Sequence, residues 1–185
     1  KTTTTSLLAG VFAEGGLDPT IVVGGKLNSV GTNAVLGRGE WMVAEADESD
    51  GSFLHLSPTI AIVTNIDPEH LDHYGDLDTL KQAFLAFINK VPFYGTAVLC
   101  LDHPAIQDLL PQVTKRYVTY GFTSQADFQA TGVAVGDGSS RFGVLRHGEF
   151  LGPVTLQIPG RHNVLNALAC LAASMEAGIP FGVVQ

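Results

Sequence analysis

The sequence is poor in cysteine, tryptophan, methionine and basic residues, and these shortages argue against several classes of protein. It has 2 Cys, 1 Trp and 2 Met among 185 residues, and it lacks the Cys and His spacings that are typical of zinc sites. Cys100 and Cys170 lie in apolar stretches, so we expect both to be buried core residues. A chain of this length buries enough surface to fold without disulfides, which is consistent with a reducing cytoplasm.

Positive charge is also scarce. Ten Lys and Arg stand against 18 Asp and Glu, giving a formal net charge of -8. This balance argues against non-specific nucleic-acid binding and against docking on an anionic membrane, because both depend on basic surface. An apolar run of about 18 residues, which a membrane-spanning helix needs, is absent. With 45% hydrophobic residues, the chain is expected to form one globular domain and not to be disordered.

The first two-thirds of the sequence alternates between short apolar segments and helical patterns. Near-continuous apolar runs of this length are typical of strands buried on both faces. The predicted strands are Thr20–Gly24, Trp41–Ala46, Thr59–Thr64, Thr96–Leu101 and Arg116–Tyr120. The predicted helices between them are Thr2–Glu14, Asp76–Val91 and Pro104–Leu110. This alternation predicts an α/β fold over residues 1–126, with a mainly parallel sheet flanked by helices.

The pattern changes after residue 126. Residues 127–159 alternate apolar and polar side chains in three runs separated by glycine-bearing turns, which predicts a small antiparallel three-stranded sheet. Residues 160–178 return to a helical pattern that is rich in alanine and ends at Gly178 and Pro180. The sequence therefore predicts a parallel sheet, a small antiparallel sheet and a closing helix.

The first residues, Lys1-Thr2-Thr3-Thr4-Thr5, directly precede a predicted helix. A phosphate-binding loop ends in Gly-Lys-Ser/Thr at a helix N-terminus, where backbone N–H groups and the helix dipole hold phosphate oxygens. In such a loop Lys1 would reach the β- and γ-phosphates, and the Thr2 hydroxyl would bind Mg²⁺. We expect the glycines of this loop to precede Lys1. The alternative interpretation is an ordinary capped or frayed helix end.

Two polar clusters follow predicted strands. Glu45 ends the strand Trp41–Ala46, ahead of Glu48 and Asp50, which we expect to be exposed in a loop. Asn65 and His70 follow the next strand, and His70 could ligate a metal ion together with a carboxylate from the neighbouring strand end. Ligands bind at the carboxyl ends of parallel strands, which favours Glu45 as a functional residue. A solvated acidic loop and a surface histidine remain the alternatives.

The last cluster begins the closing helix. Asn163 and Asn166 are three residues apart and therefore project from one face of its first turn. A carboxamide can both donate to and accept from the edge of a purine, so these residues are candidates for binding adenine, with His162 as a further candidate. Helix capping alone would explain Asn163, but it explains Asn166 less well.

Together and in this order, the four clusters resemble the Mur ligases, which form amide bonds with ATP during peptidoglycan precursor synthesis. The resemblance covers essentially the whole chain, residues 1–185, and implies the fold of their central ATP-binding domain, related to the phosphate-loop NTPases. Lys1-Thr-Thr-Thr resembles the end of the family's phosphate loop. The three later segments that resemble family motifs are Glu45–Leu54, Val63–Asp72 and Pro159–Ala167.

The resemblance also implies an activity and roles for the site residues. The acidic motif is most similar to that of the branch that joins L-alanine to UDP-N-acetylmuramate through an acyl phosphate. Leu85 agrees with this branch, since other Mur ligases have a carbamylated lysine there. Lys1, Thr2 and Thr3 would bind the phosphates of ATP and a first Mg²⁺, and Glu45 and His70 a second Mg²⁺. Lys1, Glu45 and His70 would thus be catalytic, Asn163 and Asn166 would bind adenine, and Asn65 would lie in the site.

Several functional alternatives stay open at this point. They are a related ligase that attaches a tripeptide to the same sugar nucleotide, a folylpolyglutamate-synthase-like ligase, a phosphate-loop NTPase that acts as a switch, and a nucleotide-binding module without catalysis. The resemblance further implies that an N-terminal UDP-binding domain and a C-terminal amino-acid-binding domain complete the enzyme. We therefore expect the 185 residues to be inactive on their own.

Overall fold

A computed structural model describes residues 1–24 and 33–185. Within these residues the strands are β1 (Thr20–Val22), β2 (Ala34–Val35), β3 (Met42–Ala44), β4 (Ile60–Val63), β5 (Thr96–Cys100), β6 (Tyr117–Gly121), β7 (Phe128–Gly136), β8 (Ser139–Arg146) and β9 (Glu149–Leu156). The helices are α1 (Thr2–Glu14), α2 (Leu71–Tyr74), α3 (Leu77–Ile88), α4 (Pro104–Leu109), α5 (Arg161–Glu176) and α6 (Phe181–Val184). A short 3₁₀ helix spans Ser52–His55.

The helix ends follow the expected local chemistry. Asp76 caps α3, where its carboxylate accepts a hydrogen bond of 2.7 Å from the backbone N–H of Thr79, and this satisfies one donor that the first turn leaves free. Gly15 follows the end of α1, and Gly178, with φ of +89°, follows the end of α5. The bounds of the predicted helices are therefore close to those observed.

The larger sheet has six strands in the order β4-β5-β6-β7-β8-β9. The pairs from β4 to β7 are parallel, and β7, β8 and β9 form an antiparallel meander. The α/β fold is thereby confirmed. One detail differs, because the meander at residues 127–159 is not a separate small sheet: β7 pairs with the end of β6, at Tyr120 with Phe128 and at Gly121 with Gln129. The fully buried ring of Phe128 fixes this junction.

The smaller sheet has three strands in the order β2-β1-β3. β1 and β3 are parallel, and the two-residue strand β2 pairs antiparallel with β1. The sequence predicts that the strands up to residue 126 form one sheet, but β3 and β4 are not hydrogen-bonded to each other, and they belong to different sheets. Polar groups at the carboxyl ends of β3 and β4 nevertheless line one cavity.

The core lies around β5 and α5. Every residue of β5 is buried, and nine residues of α5 are buried, including Val164, Leu168 and Ala172 at 0% exposure. Cys100 and Cys170 are free and buried, as predicted; burial raises the pKa of the Cys100 thiol and raises that of Cys170 to about 12. Among the described residues, none of the helices is long and apolar enough to cross a membrane.

Candidate nucleotide site

The start of α1 meets the end of β3. The Thr2 hydroxyl donates to the Glu45 carboxylate, with Oγ1 at 3.1 Å from Oε1 and 3.0 Å from Oε2. The backbone N–H of Gly24, just after β1, donates to the same carboxylate at 2.9 Å. Glu45 is thus held by the end of a neighbouring strand and faces the first turn of α1. Two residues that the sequence predicts to bind metal, Thr2 and Glu45, are in direct contact.

Lys1 faces the acidic loop that follows β3. Its ammonium Nζ lies 2.9 Å from Asp47 Oδ1 and 2.7 Å from Glu48 Oε2. Burial tends to lower the pKa of the Lys1 ammonium, but the hydrogen bonds to Glu48 and Asp47 outweigh burial, and the pKa is raised. The hydrogen bond from Lys1 is the main reason that the pKa of Asp47 is lowered to about 2. The acidic loop therefore holds the lysine charged at the start of α1.

The prediction for this loop is half right. Asp50 is exposed, but Glu48 is not a free loop residue, since its side chain is only 19% exposed and bonded to Lys1. The Tyr74 hydroxyl at the end of α2 donates to the backbone carbonyl of Glu48. This contact links the acidic loop to the segment that follows β4, and it orients Glu48 towards Lys1.

The first turn of α1 can accept an anion. The first intrahelical bond runs from the Thr5 N–H to the Lys1 carbonyl at 3.1 Å, so the N–H groups of the preceding threonines are outside the helical ladder. Thr3 is half-buried, and its side chain makes no hydrogen bond within the described part of the chain. These donors and the positive end of the helix dipole favour a phosphate beside Lys1.

A chain of hydrogen bonds follows β4. The Thr64 hydroxyl donates to Asn65 Oδ1 at 2.7 Å, the Asn65 amide donates to the Asp67 carboxylate, and Asp67 Oδ1 lies 3.3 Å from His103 Nε2. His103 belongs to the loop after β5, so this chain joins the ends of two adjacent strands. It fixes Asn65 at the rim of the site.

A cavity of about 240 Å³ lies between the start of α1 and the segments that follow β3 and β4. Its polar lining residues are Lys1, Glu48, Thr64, Asn65, Asp67 and Glu69. Three carboxylates and one ammonium give this cavity a net negative charge, so a triphosphate or a substrate carboxylate would enter with cations. Mg²⁺ fits this donor set, because it favours oxygen ligands and binds through one or two carboxylates, phosphates and water.

His70 is positioned differently from Glu45. It is the residue before α2 and has a left-handed backbone, with φ of 56°. Its imidazole has no hydrogen bond or ion pair within residues 1–24 and 33–185. In that same part of the chain, there is no group of three or more His, Cys, Asp and Glu side chains arranged to hold a metal ion. Among the described residues, the imidazole of His70 therefore has no hydrogen-bonding partner, and it is not paired with Glu45.

The two asparagines of α5 already have partners. Asn163 is 7% exposed, and its Nδ2 donates to the Pro159 carbonyl at 2.8 Å. Asn166 Nδ2 donates to Asn163 Oδ1 at 3.4 Å, and the Thr4 hydroxyl donates to Asn166 Oδ1 at 3.1 Å. Asn166 therefore connects α5 to α1. His162 is exposed.

Some residues at these strand ends were not found by sequence reasoning. They include Asp47 and Glu48 as partners of Lys1, the pair Asp67 and His103, and the guanidinium of Arg161, which lies 4.2 Å from the centre of the Phe122 ring. The acidic motif was a signal for the first two. The others depend on contacts between separate loops, which spacing along the chain does not reveal.

The comparisons with known proteins agree with this geometry. The family described as "Mur ligase middle domain" matches residues 1–174. The chain therefore belongs to the Mur ligase middle-domain family.

Curated relatives of the chain are named for one particular branch of the family. Proteins named UDP-N-acetylmuramate–L-alanine ligase are 60% identical in Geotalea uraniireducens (strain Rf4), over 185 residues, and 58% identical in Geobacter sulfurreducens, over 186 residues. Each alignment covers 100% of this chain and 40% of the relative. The chain thus spans about 40% of the length of these curated relatives.

Solved structures give the same fold. The chain is similar to the UDP-N-acetylmuramate–alanine ligase MurC of Thermotoga maritima, with a TM-score of 0.86 and 29% identity, over 100% of this chain and 41% of that one. It is equally similar to the UDP-N-acetylmuramate:L-alanyl-gamma-D-glutamyl-meso-diaminopimelate ligase from Neisseria meningitides, with a TM-score of 0.87 and 29% identity, over 99% of this chain and 60% of that one. The fold alone therefore does not separate these two activities.

Proposed function

We propose that the full-length protein is an ATP-dependent ligase that joins the lactyl carboxylate of UDP-N-acetylmuramate to the amine of L-alanine, in peptidoglycan precursor synthesis in the cytoplasm. The observation that carries this proposal is the contact of Thr2 with Glu45 beside Lys1, at the start of a helix and the end of a parallel strand. The 60% identity to alanine ligases supports the choice of substrates.

The chain would supply the ATP-binding part of the enzyme. Lys1 and the N–H groups of Thr2 and Thr3 would contact the phosphates of ATP, because these donors point out of the first turn of α1. To bind phosphate, Lys1 must exchange its contacts with Asp47 and Glu48 for phosphate oxygens. A solved MurF ligase from Thermotoga maritima is described in complex with ADP, which is consistent with nucleotide binding on this fold.

The site would bind two Mg²⁺ ions. Thr2 would be a ligand of the first ion, and Glu45 and His70 would be ligands of the second. Their chemistry would be to neutralise the phosphates and the substrate carboxylate in a site that is itself acidic. The imidazole of His70, which makes no hydrogen bond within residues 1–24 and 33–185, is available as a ligand. Glu45 must then release the hydrogen bonds from Thr2 and Gly24 or share its oxygens with the metal.

The reaction proceeds in two steps. A carboxylate is a poor electrophile, so an oxygen of the lactyl carboxylate attacks the γ-phosphorus, the bond to the β-phosphate oxygen breaks, and ADP leaves. The amine of L-alanine then attacks the carbonyl carbon of the acyl phosphate, loses a proton and expels inorganic phosphate. Lys1 would stabilise the negative charge of the transferred phosphoryl group, since a preorganised cation is effective in a site shielded from water.

The contributions of the α5 residues are more specific proposals. Asn163 and Asn166 would bind adenine once their amides exchange internal partners, and the exposed His162 would lie beside the base. Asn65, fixed between Thr64 and Asp67, would border the reacting groups. Parts of the protein outside residues 1–185 would bind the UDP group and the amino acid, so we expect the isolated chain to be inactive.

The second candidate is a ligase that attaches a tripeptide to the same sugar nucleotide. The structural match to the enzyme from Neisseria meningitides, with a TM-score of 0.87, favours it as much as the match to the alanine ligase, with 0.86. Identity favours alanine, at 60% for curated alanine ligases against 29% for the tripeptide ligase. The acceptor amine is what distinguishes the two activities.

The test uses the full-length protein with ATP, Mg²⁺ and UDP-N-acetylmuramate. Alanine, serine, glycine and the tripeptide are offered in turn, and the amide product and ADP are quantified. We expect one amide per ADP, with alanine preferred. Preference for the tripeptide would establish the second candidate, and ADP release that needs no acceptor would instead indicate a nucleotide-driven switch.

A matched pair of variants tests the role of the site. His70→Gln should abolish most turnover because it removes a metal ligand, whereas His55→Gln should retain it, since His55 is exposed and has no side-chain partner among the described residues. Equal activity of the two variants would contradict the metal-binding role of His70.

A further inference from the structure

His103 is a half-buried histidine to which the proposed reaction gives no role. It lies in the loop between β5 and α4, and its Nε2 is 3.3 Å from Asp67 Oδ1. Its Nδ1 is buried and has no hydrogen-bond partner within the described part of the chain. A proton on Nδ1 would be a buried donor without an acceptor, so the neutral ring carries its proton on Nε2 and donates it to Asp67.

The backbone of His103 is held in place on both sides. Pro104 begins α4 and restricts the residue before it to extended backbone, and His103 has φ of -95° and ψ of 118°. The His103 carbonyl accepts from the N–H groups of Ile106 at 3.0 Å and Gln107 at 3.1 Å, and its own N–H donates to the Cys100 carbonyl at 3.3 Å. Since β5 is buried throughout, the imidazole is attached to a fixed point of the core.

The Asp67 carboxylate accepts hydrogen bonds from two directions. His103 faces Oδ1, whereas the Asn65 amide donates to Oδ2. Two donors on two different oxygens fix the rotation of the carboxylate about its Cβ–Cγ bond. The Asp67 side chain is 50% exposed, so a carboxylate without His103 would be free to turn towards water. His103 thus sets the direction in which Asp67 presents Oδ2 to Asn65.

The Asn65 amide is oriented by its two neighbours. Its Oδ1 accepts from the Thr64 hydroxyl at 2.7 Å, and its Nδ2 donates to Asp67. Only the NH₂ end of an amide can donate to a carboxylate, so these contacts select one of the two flipped orientations. The second Nδ2 proton has no acceptor among residues 1–24 and 33–185. Because Asn65 lines the cavity with Lys1 and Glu48, this N–H is a donor for an anionic oxygen bound there.

We propose that His103 is a positioning residue of the ligase reaction. Through Asp67 it fixes the Asn65 amide, so that the second N–H of Asn65 donates to an oxygen of the transferred phosphoryl group. This inference rests on the proposed function, which places phosphoryl transfer in this cavity. A donor that is oriented before the reaction stabilises charge without further reorganisation. His103 itself contacts neither nucleotide nor substrate, so its loss should lower kcat more than it raises KM.

The first test is kinetic and uses the full-length enzyme with ATP, Mg²⁺, UDP-N-acetylmuramate and L-alanine. His103→Asn should lower kcat by about tenfold and change the KM for ATP by less than about twofold, because the shorter amide does not reach Asp67. His103→Gln should retain at least about half of the wild-type kcat, since its amide can donate from the position of the imidazole Nε2. Unchanged kcat in His103→Asn, or an equal fall in His103→Gln, would overturn the proposal.

The chain offers a matched control for this pair of variants. His147 Nδ1 lies 3.2 Å from Asp127 Oδ1, and neither residue lines the cavity. His147→Asn therefore removes a similar contact between histidine and aspartate at another place, and it should leave kcat unchanged. A fall in kcat equal to that of His103→Asn would contradict a specific role for His103.

A double-mutant cycle tests whether His103 acts through Asn65. Asn65→Ala should itself lower kcat, because the donor is removed. Adding His103→Asn to this variant should change kcat by less than about twofold, since there is then no amide to position. Losses that multiply independently would rule out the connection through Asn65.

A measurement without substrate separates this inference from the proposed function. In ligand-free full-length protein labelled with ¹⁵N at histidine and asparagine, NMR should show a hydrogen on His103 Nε2. The Asn65 side-chain amide should exchange with water about fivefold faster in His103→Asn than in the wild type or His103→Gln. A bare Nε2, or equal exchange in all three proteins, would contradict the positioning role even in an active ligase. Both signatures in a protein without ligase activity would contradict the proposed function but would still establish that His103 orders Asn65.

Discussion

β5 and β3 have similar apolar compositions but very different surroundings. Every residue of β5 is buried between β4 and β6, whereas in β3 only Val43 is buried and Met42 is 58% exposed. The larger sheet therefore carries most of the hydrophobic core, and the smaller sheet carries Glu45, which contacts the start of α1. The difference indicates that the larger sheet provides most of the stability, whereas the smaller sheet contributes little to the core and positions Glu45.

This division has a physical reason. Local stability follows the apolar contacts that an element makes, so segments with few such contacts open more readily. The smaller cluster around Ala9, Phe12 and Val43 has four buried members, while the larger one spans both faces of β5. Substitutions at the end of β3 should thus affect turnover far more than folding, and substitutions in β5 should do the reverse.

The largest expected effect is on turnover. Glu45→Gln in the full-length enzyme should lower kcat by about a thousandfold, on the order of 4 kcal/mol, because it removes the charge that would hold a cation beside the phosphates. Steady-state kinetics measures the loss, and Asp50→Asn is the control, since Asp50 is exposed and, within the described part of the chain, its carboxylate accepts a hydrogen bond only from Ser52. A large fall in the free energy of unfolding for Glu45→Gln would contradict the expectation that substitutions at the end of β3 affect turnover far more than folding.

The next effect is on stability. Leu99→Ala in β5 should lower the free energy of unfolding by about 3 kcal/mol, because Leu99 is 0% exposed and the change leaves a cavity. Urea unfolding measures this loss. Met42→Ala in β3 is the matched variant and should cost less than about 1 kcal/mol, since most of the Met42 side chain is in water in this chain. Equal losses would show that the two sheets do not differ in this way.

A smaller effect is expected at the far end of the larger sheet. The Glu176 side chain is 3% exposed, and its carboxylate lies 2.6 Å from Arg116 and 3.3 Å from Arg146. Glu176→Gln should cost about 1 to 2 kcal/mol, because it weakens hydrogen bonds to charged groups without creating a cavity. Thermal or urea unfolding measures this loss, with the exposed Glu149→Gln as the control. Equal free energies of unfolding for the two variants would show that the buried carboxylate does not stabilise the larger sheet.

The smallest effect concerns pH at the nucleotide site. The pKa of Asp47 is about 2, below its ordinary 3.8, mainly because of the hydrogen bond from Lys1. A carboxyl with a lowered pKa stabilises the fold above its unfolded pKa, and this contribution is lost as the pH falls from about 4 towards 2. Both side chains are more than one-third exposed, so the change in stability should be slight. NMR titration of the Asp47 carboxyl should give a pKa near 2, and Lys1→Met should raise it; an unchanged pKa would exclude the contact with Lys1.

The sequence predicted most of the helices and strands well, but it predicted the contacts between them less well. The alternation of apolar runs and helical spacing identified α1, α3, α5 and the meander, because these depend on local periodicity and on caps such as Asp76. The pairing of β7 with β6 and the gap between β3 and β4 depend on which strands become neighbours. Periodicity does not contain that information.

The same limit applies to the site. Lys1, Thr2 and Glu45 could be found because each occupies a recognisable position, at a helix start or a strand end, and the structure brings them together. The contact of Asn166 with Thr4 was not foreseen, since Thr4 is far away in the sequence. The roles of all the candidate site residues stay predictions until they are measured; they are Lys1, Thr2, Thr3, Glu45, Asn65, His70, His162, Asn163 and Asn166.

The origin of the oxygen in the released phosphate tests the proposed chemistry most directly. UDP-N-acetylmuramate labelled with ¹⁸O in its lactyl carboxylate is supplied to the full-length enzyme with ATP, Mg²⁺ and L-alanine, and the phosphate is analysed by mass spectrometry. If the carboxylate attacks the γ-phosphorus, each inorganic phosphate should carry one labelled oxygen. Phosphate that contains no label, released while ATP is consumed, would contradict an acyl phosphate and indicate that water attacks ATP instead.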